Sequence, residues 1–289
     1  MNDEGRQQSA TAWKMRYASH LGLRSLEDPT FRHSAGSADP IEQIRFAASL
    51  GFAGMEDNSV KVRPVATQER IGAELARHGL EMGCFVNNPA RWNQPLWGRS
   101  DDEARGLLAE DLDASIEAAK RLGGSIATVV SGCDPSVPLG FQLANMVENL
   151  KRFGDVAARA GLVLAVETVD EGRWPNMLLH HIADAYAVVR AVDSPAVKLL
   201  FDFGHVQSMD GQVLDNLAAT WDQIAIIQVA DIPGRFELGS GELNWPNILR
   251  FVRGRGYTGL IELEHVNSQP GIAGERAMLG NLRAIDEAI

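Results

Sequence analysis

Residues 198–206 read KLLFDFGHV: an apolar run long enough for one buried strand, closed by Asp202 and followed by a glycine and a histidine. The same arrangement returns in VLAVETVD (163–170), IAIIQVADIPGR (224–235) and GLIELEH (259–265). Each run of Val, Ile, Leu and Ala ends on an oxygen-bearing side chain, Glu167, Asp202, Gln228 or Glu264, at intervals of 35, 26 and 36 residues. Short continuous apolar runs bounded by polar residues are the mark of strands buried on both faces, as in parallel sheets. Each interval leaves room for a strand, a turn and the helix that crosses back over the sheet.

Working outward, eight such runs are found: Arg16 to Gly22, Gly54 to Asp57, Glu81 to Val86, Ser125 to Ser131, Val163 to Thr168, Lys198 to Phe203, Ile224 to Ala230 and Gly259 to Glu264. Helical patterns lie between them. Asp39 and Pro40 are set as N-cap and first helical residue of a helix over Ile41 to Leu50 that Gly51 closes, and Asp101 to Leu122 and Gln142 to Ala160 carry apolar residues at steps of three and four. Eight strands alternating with helices in about 275 residues predict an α/β chain folded as one (β/α)8 TIM barrel over residues 14–289. An open doubly wound sheet would place a glycine-rich turn after its first strand, and Leu23-Arg24-Ser25-Leu26 is not one. Residues 1–13, MNDEGRQQSATAW, are polar and are expected to form a flexible arm.

Composition narrows the partners. The chain has 289 residues, is 45% hydrophobic and carries a formal charge of −11, so its average field repels phosphate backbones and anionic membrane surfaces. No apolar stretch reaches the length of a membrane span or of a signal peptide's core, and the expectation is a cytoplasmic protein that binds neither nucleic acid nor membrane. Two cysteines, Cys84 and Cys133, are too few for a disulfide framework and are read as core thiols.

In a barrel, active sites are built at the carboxyl ends of the strands, so Glu167, Asp202, Gln228 and Glu264 are expected on one rim, facing one axis. A single acidic residue closing a strand is more often a helix N-cap or a solvated rim charge; four in register over consecutive units point to a site. Three carboxylates converging on an apolar mouth repel one another and lose hydration, which calls for a cation or for raised pKa values. An all-oxygen set suits one divalent ion of the magnesium or manganese kind. The four are therefore the candidate metal ligands.

QVADIPGRFELGSGELNW (228–245), GYTGLIELEH (256–265), AVETVD and FDFGHV together resemble the xylose isomerase-like TIM barrels, a family of sugar phosphate isomerases and epimerases, and within it the hydroxypyruvate isomerases; the likeness runs from about residue 15. The resemblance implies that Glu167, Asp202, Gln228 and Glu264 hold the metal and that Glu167 and Glu264 are also the acid/base pair. It further implies that His205 and Arg235 contact the substrate, a small α-hydroxy carbonyl compound such as hydroxypyruvate, which would become tartronate semialdehyde through an enediolate. The chain departs from the family after Glu167: Thr168, Val169 and Asp170 stand where Pro-x-Asn is usual, and position 173 is Arg.

Plainer roles stand beside these. His205 could cap the next helix, Arg235 could pair with Glu237 or Glu242, and Asp231 is expected to brace its own loop rather than touch metal. Glu262 is read as alternating with Glu264 and so facing away from it, toward the helix layer or rim. Trp92, Trp97 and Trp174 fall in rim loops as an aromatic wall, with Trp174 a substrate contact, although loop tryptophans can equally pack against a neighbouring subunit of a homo-oligomer. Other chemistries open on this scaffold are keto-sugar 3-epimerisation, lyase or dehydratase action on a keto-cyclitol or oxidised glycoside, and an apurinic-site endonuclease type of phosphodiester cleavage, which the negative charge and few rim histidines disfavour.

Overall fold

The protein is described by a computed structural model covering residues 12–289. The strands are β1 (Tyr17–His20), β2 (Gly54–Glu56), β3 (Glu81–Met82), β4 (Phe85–Val86), β5 (Ile126–Val129), β6 (Val163–Val166), β7 (Val197–Asp202), β8 (Ile224–Gln228) and β9 (Ile261–Glu262). All neighbours pair in parallel in the order β3-β2-β1-β9-β8-β7-β6-β5-β4. Because β3 and β4 are consecutive pieces of one extended run, the two ends of that order meet and the sheet closes. The eight runs read from sequence are thus the eight staves of a TIM barrel, the third broken at Gly83-Cys84. The break has a local cause: the Cys84 N–H donates to the Glu262 carboxylate (2.7 Å) rather than to a neighbouring strand.

Helices α1 (Pro40–Ser49), α2 (Val65–His78), α3 (Asp102–Leu122), α4 (Leu139–Ala160), α5 (Ile182–Val192), α6 (Phe203–Met209), α7 (Val213–Thr220), α8 (Trp245–Gly254) and α9 (Gly271–Glu287) intervene between the strands and follow the last. The expected starts are realised in detail. Asp39 accepts from the Ile41 N–H with Pro40 at the first helical position, and Asp101 accepts from the Ala104 N–H, so each short acidic side chain satisfies an otherwise orphaned amide.

Inside the ring, Ala18, Cys84, Ala165, Leu200, Ile226 and Leu260 meet in a small plug of their own. Side chains two apart on a strand share a face, so the next inward layer is dictated: His20, Val86, Glu167, Asp202, Gln228 and Glu262, with Glu56 two beyond Gly54. Apolar plug below and polar layer above is how the pleat converts strand sequence into a reactive mouth. The same rule corrects the expectation for Glu262. Being two residues from Glu264, it shares that residue's inward face; it is fully buried and touches Cys84 and Gln228.

The ends of the chain are tied together. The Asp286 carboxylate accepts from the Lys14 and Met15 N–H groups and from the Tyr17 hydroxyl. Of the segment expected to be a flexible arm, residues 1–11 lie outside the described residues, while Trp13 packs edge-on against Tyr17 and Phe52 under the Arg283 guanidinium. Among the described residues no helix is long and apolar enough to cross a membrane.

Close approach of α2 to α3 rests on Gly72, where an added Cβ would lie 2.0 Å from the Arg121 carbonyl oxygen. In an unobstructed helix interior, Gly to Ala gains up to about 1 kcal/mol from propensity. Here backbone must move instead, so Gly72→Ala should destabilise the protein by about 2 kcal/mol. Urea unfolding measures the sign directly, and a neutral or stabilised variant would show that the two helices are not in this contact.

Candidate active site

Four strand ends and one loop build the site. Glu167 follows β6, its N–H still in the ladder to the Val129 carbonyl (3.1 Å). Asp202 ends β7 and is at once the N-cap of α6, accepting from the His205 N–H (2.9 Å). Gln228 ends β8, directly opposite Asp202 on one side and Glu262 on the other. Glu264 lies two residues past β9 and takes a hydrogen bond from the Asn58 amide (2.6 Å).

The side-chain ligand atoms of Glu167, Asp202 and His205 all come within 4.8 Å of one another, and all three residues are buried. Arg235 joins them, donating to both Asp202 oxygens (3.1 and 2.6 Å) and to Glu264. It therefore pairs with neither Glu237 nor Glu242. Glu237 accepts from the Ser268 N–H and hydroxyl, and Glu242 from Gln207. His205 fills both of the roles open to it, since its N–H belongs to the helix cap while its ring faces the site. Nδ1 accepts from the Asp170 N–H (3.1 Å), so the neutral ring carries its proton on Nε2, 3.7 Å from Glu167.

Arg235 reaches inward from a braced loop. The Asp231 carboxylate accepts from the N–H groups of Ile232, Gly239, Gly241 and Leu243, which is the bracing role expected of it. Arg235 itself sits in the left-handed region (φ 60°), and its carbonyl is held by the Val266 N–H. Such a conformation persists only where surroundings over-determine it.

Above this floor opens a cavity of about 510 Å³ whose lining includes Trp92, Trp174, Arg24 and Arg173 together with His205, Arg235, Glu167 and Glu264. Trp174 stands edge-on to His205 (5.5 Å) and to Trp92 (6.3 Å), so two of the three rim tryptophans form a wall. Trp97 does not: it is fully buried against Phe153 because its loop folds under α4, whose Asn149 holds the Trp97 carbonyl. Arg173, in the segment that departs from the family pattern, edges the cavity and pairs with Asp170 at 3.6 Å.

Sequence reading missed Glu56 and Asn58. Both follow the rule that singled out the later residues, a polar side chain at the carboxyl end of a strand, here the three-residue β2. Glu56 is fully buried and neither of its carboxylate oxygens has a hydrogen-bond partner.

Among the described residues, Glu56, Glu167, Asp202, Glu262 and Glu264 thus share the barrel interior with one guanidinium. Burial holds Glu56 and Glu167 well above the usual carboxylate range, the neighbouring carboxylates adding to it, and it lifts Glu262 to about 7 and Glu264 to about 8. Asp202 alone goes down: burial opposes it, but the two Arg235 N–H groups and His205 prevail. Glu264 also touches Arg235 yet is raised, because one positive charge neutralises one carboxylate and Asp202 holds it bidentately. His205 is pushed down to about 4 by burial and then by Arg235.

An anion-rich chamber with spare acceptors is suited to a cation. The Gln228 Oε1 is buried without a partner, and the two Glu56 oxygens likewise. Carboxylate and amide oxygens are what a hard divalent ion takes, so the residues present fit one.

The family described as "Xylose isomerase-like TIM barrel" matches residues 44–287. The hydroxypyruvate isomerase of Escherichia coli (strain K12) is 25% identical over 250 residues, 84% of this chain and 94% of that protein. The 2-oxo-tetronate isomerase of Haemophilus influenzae is 28% identical over 231 residues, covering 78% and 87%. Among solved structures, one titled AP endonuclease, family 2, from Brucella melitensis superposes with a TM-score of 0.78 at 23% identity over 92% of this chain and 98% of that one, a likeness of fold.

The charge balance makes a pH prediction for the metal-free protein. Glu262 and Glu264, raised from an ordinary 4.5, keep protons in the folded chain that the unfolded chain has already released, so their contribution falls as pH rises toward 8. Buried His20, His205 and His265, depressed from 6.5 to about 4, 4 and 3, work oppositely, but only below pH 6.5. Between pH 6.5 and 8 the carboxylates are opposed only by the onset of Lys61's titration, pulled down to about 8 by burial, and the Tm should fall by about 4 °C. A Tm flat or rising over that window, followed by circular dichroism, would show that these carboxylates are ionised without cost.

Proposed function

The chain belongs to the xylose isomerase-like TIM barrel family and is an isomerase, and from that premise we propose that it interconverts the carbonyl and hydroxyl of a small α-hydroxy carbonyl acid of the hydroxypyruvate class, with a divalent ion as cofactor. The observation that carries the reading is the convergence of Glu167, Asp202, His205, Arg235 and Glu264 on the floor of one cavity. Glu167, Asp202, Gln228 and Glu264 would hold the ion, manganese or magnesium by the chemistry of the donors. Bound there, it supplies positive charge that acidifies the substrate's α C–H.

The remaining chemistry belongs to the chain. Glu167 and Glu264 reach the floor from β6 and β9, so one carboxylate can take the α proton and the other return a proton to the adjacent carbon, while the hydroxyl proton passes to the former carbonyl oxygen. Both are lifted by burial in the metal-free protein, which gives either of them the basicity for a reversible exchange that a solvated carboxylate lacks. His205 presents its Nε2–H toward Glu167 and is placed to donate to a substrate oxygen. Arg235 donates to Asp202 and Glu264, and a guanidinium released from them is the partner for a substrate carboxylate. Trp92 and Trp174 cover the side of the cavity and keep water from the enediolate. The net charge of −11 goes with a cytoplasmic enzyme whose partner is a small molecule.

Two expected outcomes test this. Chelation should abolish turnover of hydroxypyruvate, and manganese or magnesium should restore it; undiminished activity in metal-free protein would sink the cofactor reading. At saturating manganese, Glu264→Gln should retain the folded barrel and lose about 10²- to 10⁴-fold in deuterium incorporation at the substrate α carbon, because an amide oxygen cannot accept the proton. Exchange at the wild-type rate would remove Glu264 from the acid/base pair.

A further inference from the structure

We infer that Glu262, helped by Cys84, is a positioning residue that locks the Gln228 amide with its oxygen toward the metal site. The inference rests on the proposed reading of Gln228 as a ligand, and it concerns how a side chain with two nearly identical ends is made to ligate. An amide presents an acceptor at one end and a two-proton donor at the other, and the donor end cannot bind a cation.

The surroundings of Gln228 remove the ambiguity. Its neighbours in register are carboxylates on both sides, Asp202 across β7 and Glu262 across β9. Asp202 already accepts three hydrogen bonds, two from Arg235 and one from the His205 N–H. Glu262 accepts from the Gln228 Nε2 at 3.2 Å, and the same nitrogen lies 3.4 Å from the Cys84 sulfur. Reversing the amide would set its carbonyl oxygen against the Glu262 carboxylate, acceptor on acceptor in a fully buried place. In the observed orientation Oε1 is left buried and unpartnered.

Glu262 is held just as firmly. Its Oε1 accepts from the Cys84 N–H (2.7 Å) and its Oε2 from the Cys84 thiol (3.0 Å). A Cβ on Gly83 would fall 2.0 Å from the Glu262 Oε1, so the backbone beside the carboxylate is bare where a side chain would push it aside. The break between β3 and β4 thus serves the site: it frees one N–H to fix the carboxylate that fixes the amide.

The test uses the intact, metal-free protein titrated with manganese, free Mn(II) being read by its electron paramagnetic resonance signal, with thermal unfolding of each metal-free variant as the check on folding. Glu262→Gln keeps the shape but turns part of the acceptor into a donor, so the Gln228 amide has no reason to keep its present orientation. Manganese affinity should drop about 10- to 100-fold, the usual cost of losing a group that orients a ligand. The exchange variant Q228E/E262Q keeps the charges and volumes and restores complementarity, with the new amide donating to a carboxylate at 228; it should recover affinity to within about threefold of wild type or better. A merely structural role for Glu262 would show as a lowered Tm of the metal-free variant with manganese affinity kept. Wild-type affinity in Glu262→Gln, or an exchange variant as weak as the single one, would overturn the lock while leaving the metal centre standing. A wild-type protein that takes up no manganese would overturn both readings together.

Discussion

Five carboxylates buried around one guanidinium are the constraint on which this structure turns. Isolated burial of an ionised carboxylate is prohibitive, so each of the five must be neutralised by a partner, by a proton or by a bound cation, and the chain shows how the first two are distributed. Arg235 takes Asp202 outright. Glu262 accepts three hydrogen bonds, which temper but do not cancel the rise that burial imposes on it. Glu56, Glu167 and Glu264 are left to protons, which is why burial carries them upward. A chamber tuned in this way is unfavourable for its own fold and favourable for a cation, the compromise between stability and function that active sites commonly make.

Much of the surrounding structure exists to keep that balance in place. The loop carrying Arg235 is gathered by four backbone N–H groups onto Asp231 and tied to the segment after β9 through Glu237 and Ser268. His205 is fixed at both ends, by the Asp202 cap on its backbone and by the Asp170 N–H on its ring. The segment that departs from the family pattern is thereby connected to the candidate site: Asp170, Arg173 and Trp174 meet His205 or the cavity.

Legibility in the sequence followed burial periodicity. Strand ends at 167, 202, 228 and 264 could be found because parallel strands are continuous apolar runs and the first polar residue after each is conspicuous. The same signal was present at Glu56 and Asn58, where the run is short, and went unread. Glu262 was misplaced because its polar character inside an otherwise apolar strand invited an outward reading, whereas a spacing of two puts it on the inward face with Glu264. Trp97 was read as rim because loops are usually exposed, and only packing against Phe153 decides otherwise.

By itself, the sequence determined the eight-stave barrel, the helix starts at Asp39 and Asp101, and the strand ends from which the site residues project, since all of these depend on local period, capping and chain length. Tertiary structure alone decided the partners: that Arg235 spans Asp202 and Glu264, that Cys84 and Gln228 meet across the barrel at Glu262, and that Asn58 reaches Glu264 over 206 residues of chain. The division is physical. Secondary structure answers to neighbours within a few residues, whereas the pairing of charges in a barrel answers to which strand ends the closure brings face to face, and closure is a property of all eight staves together.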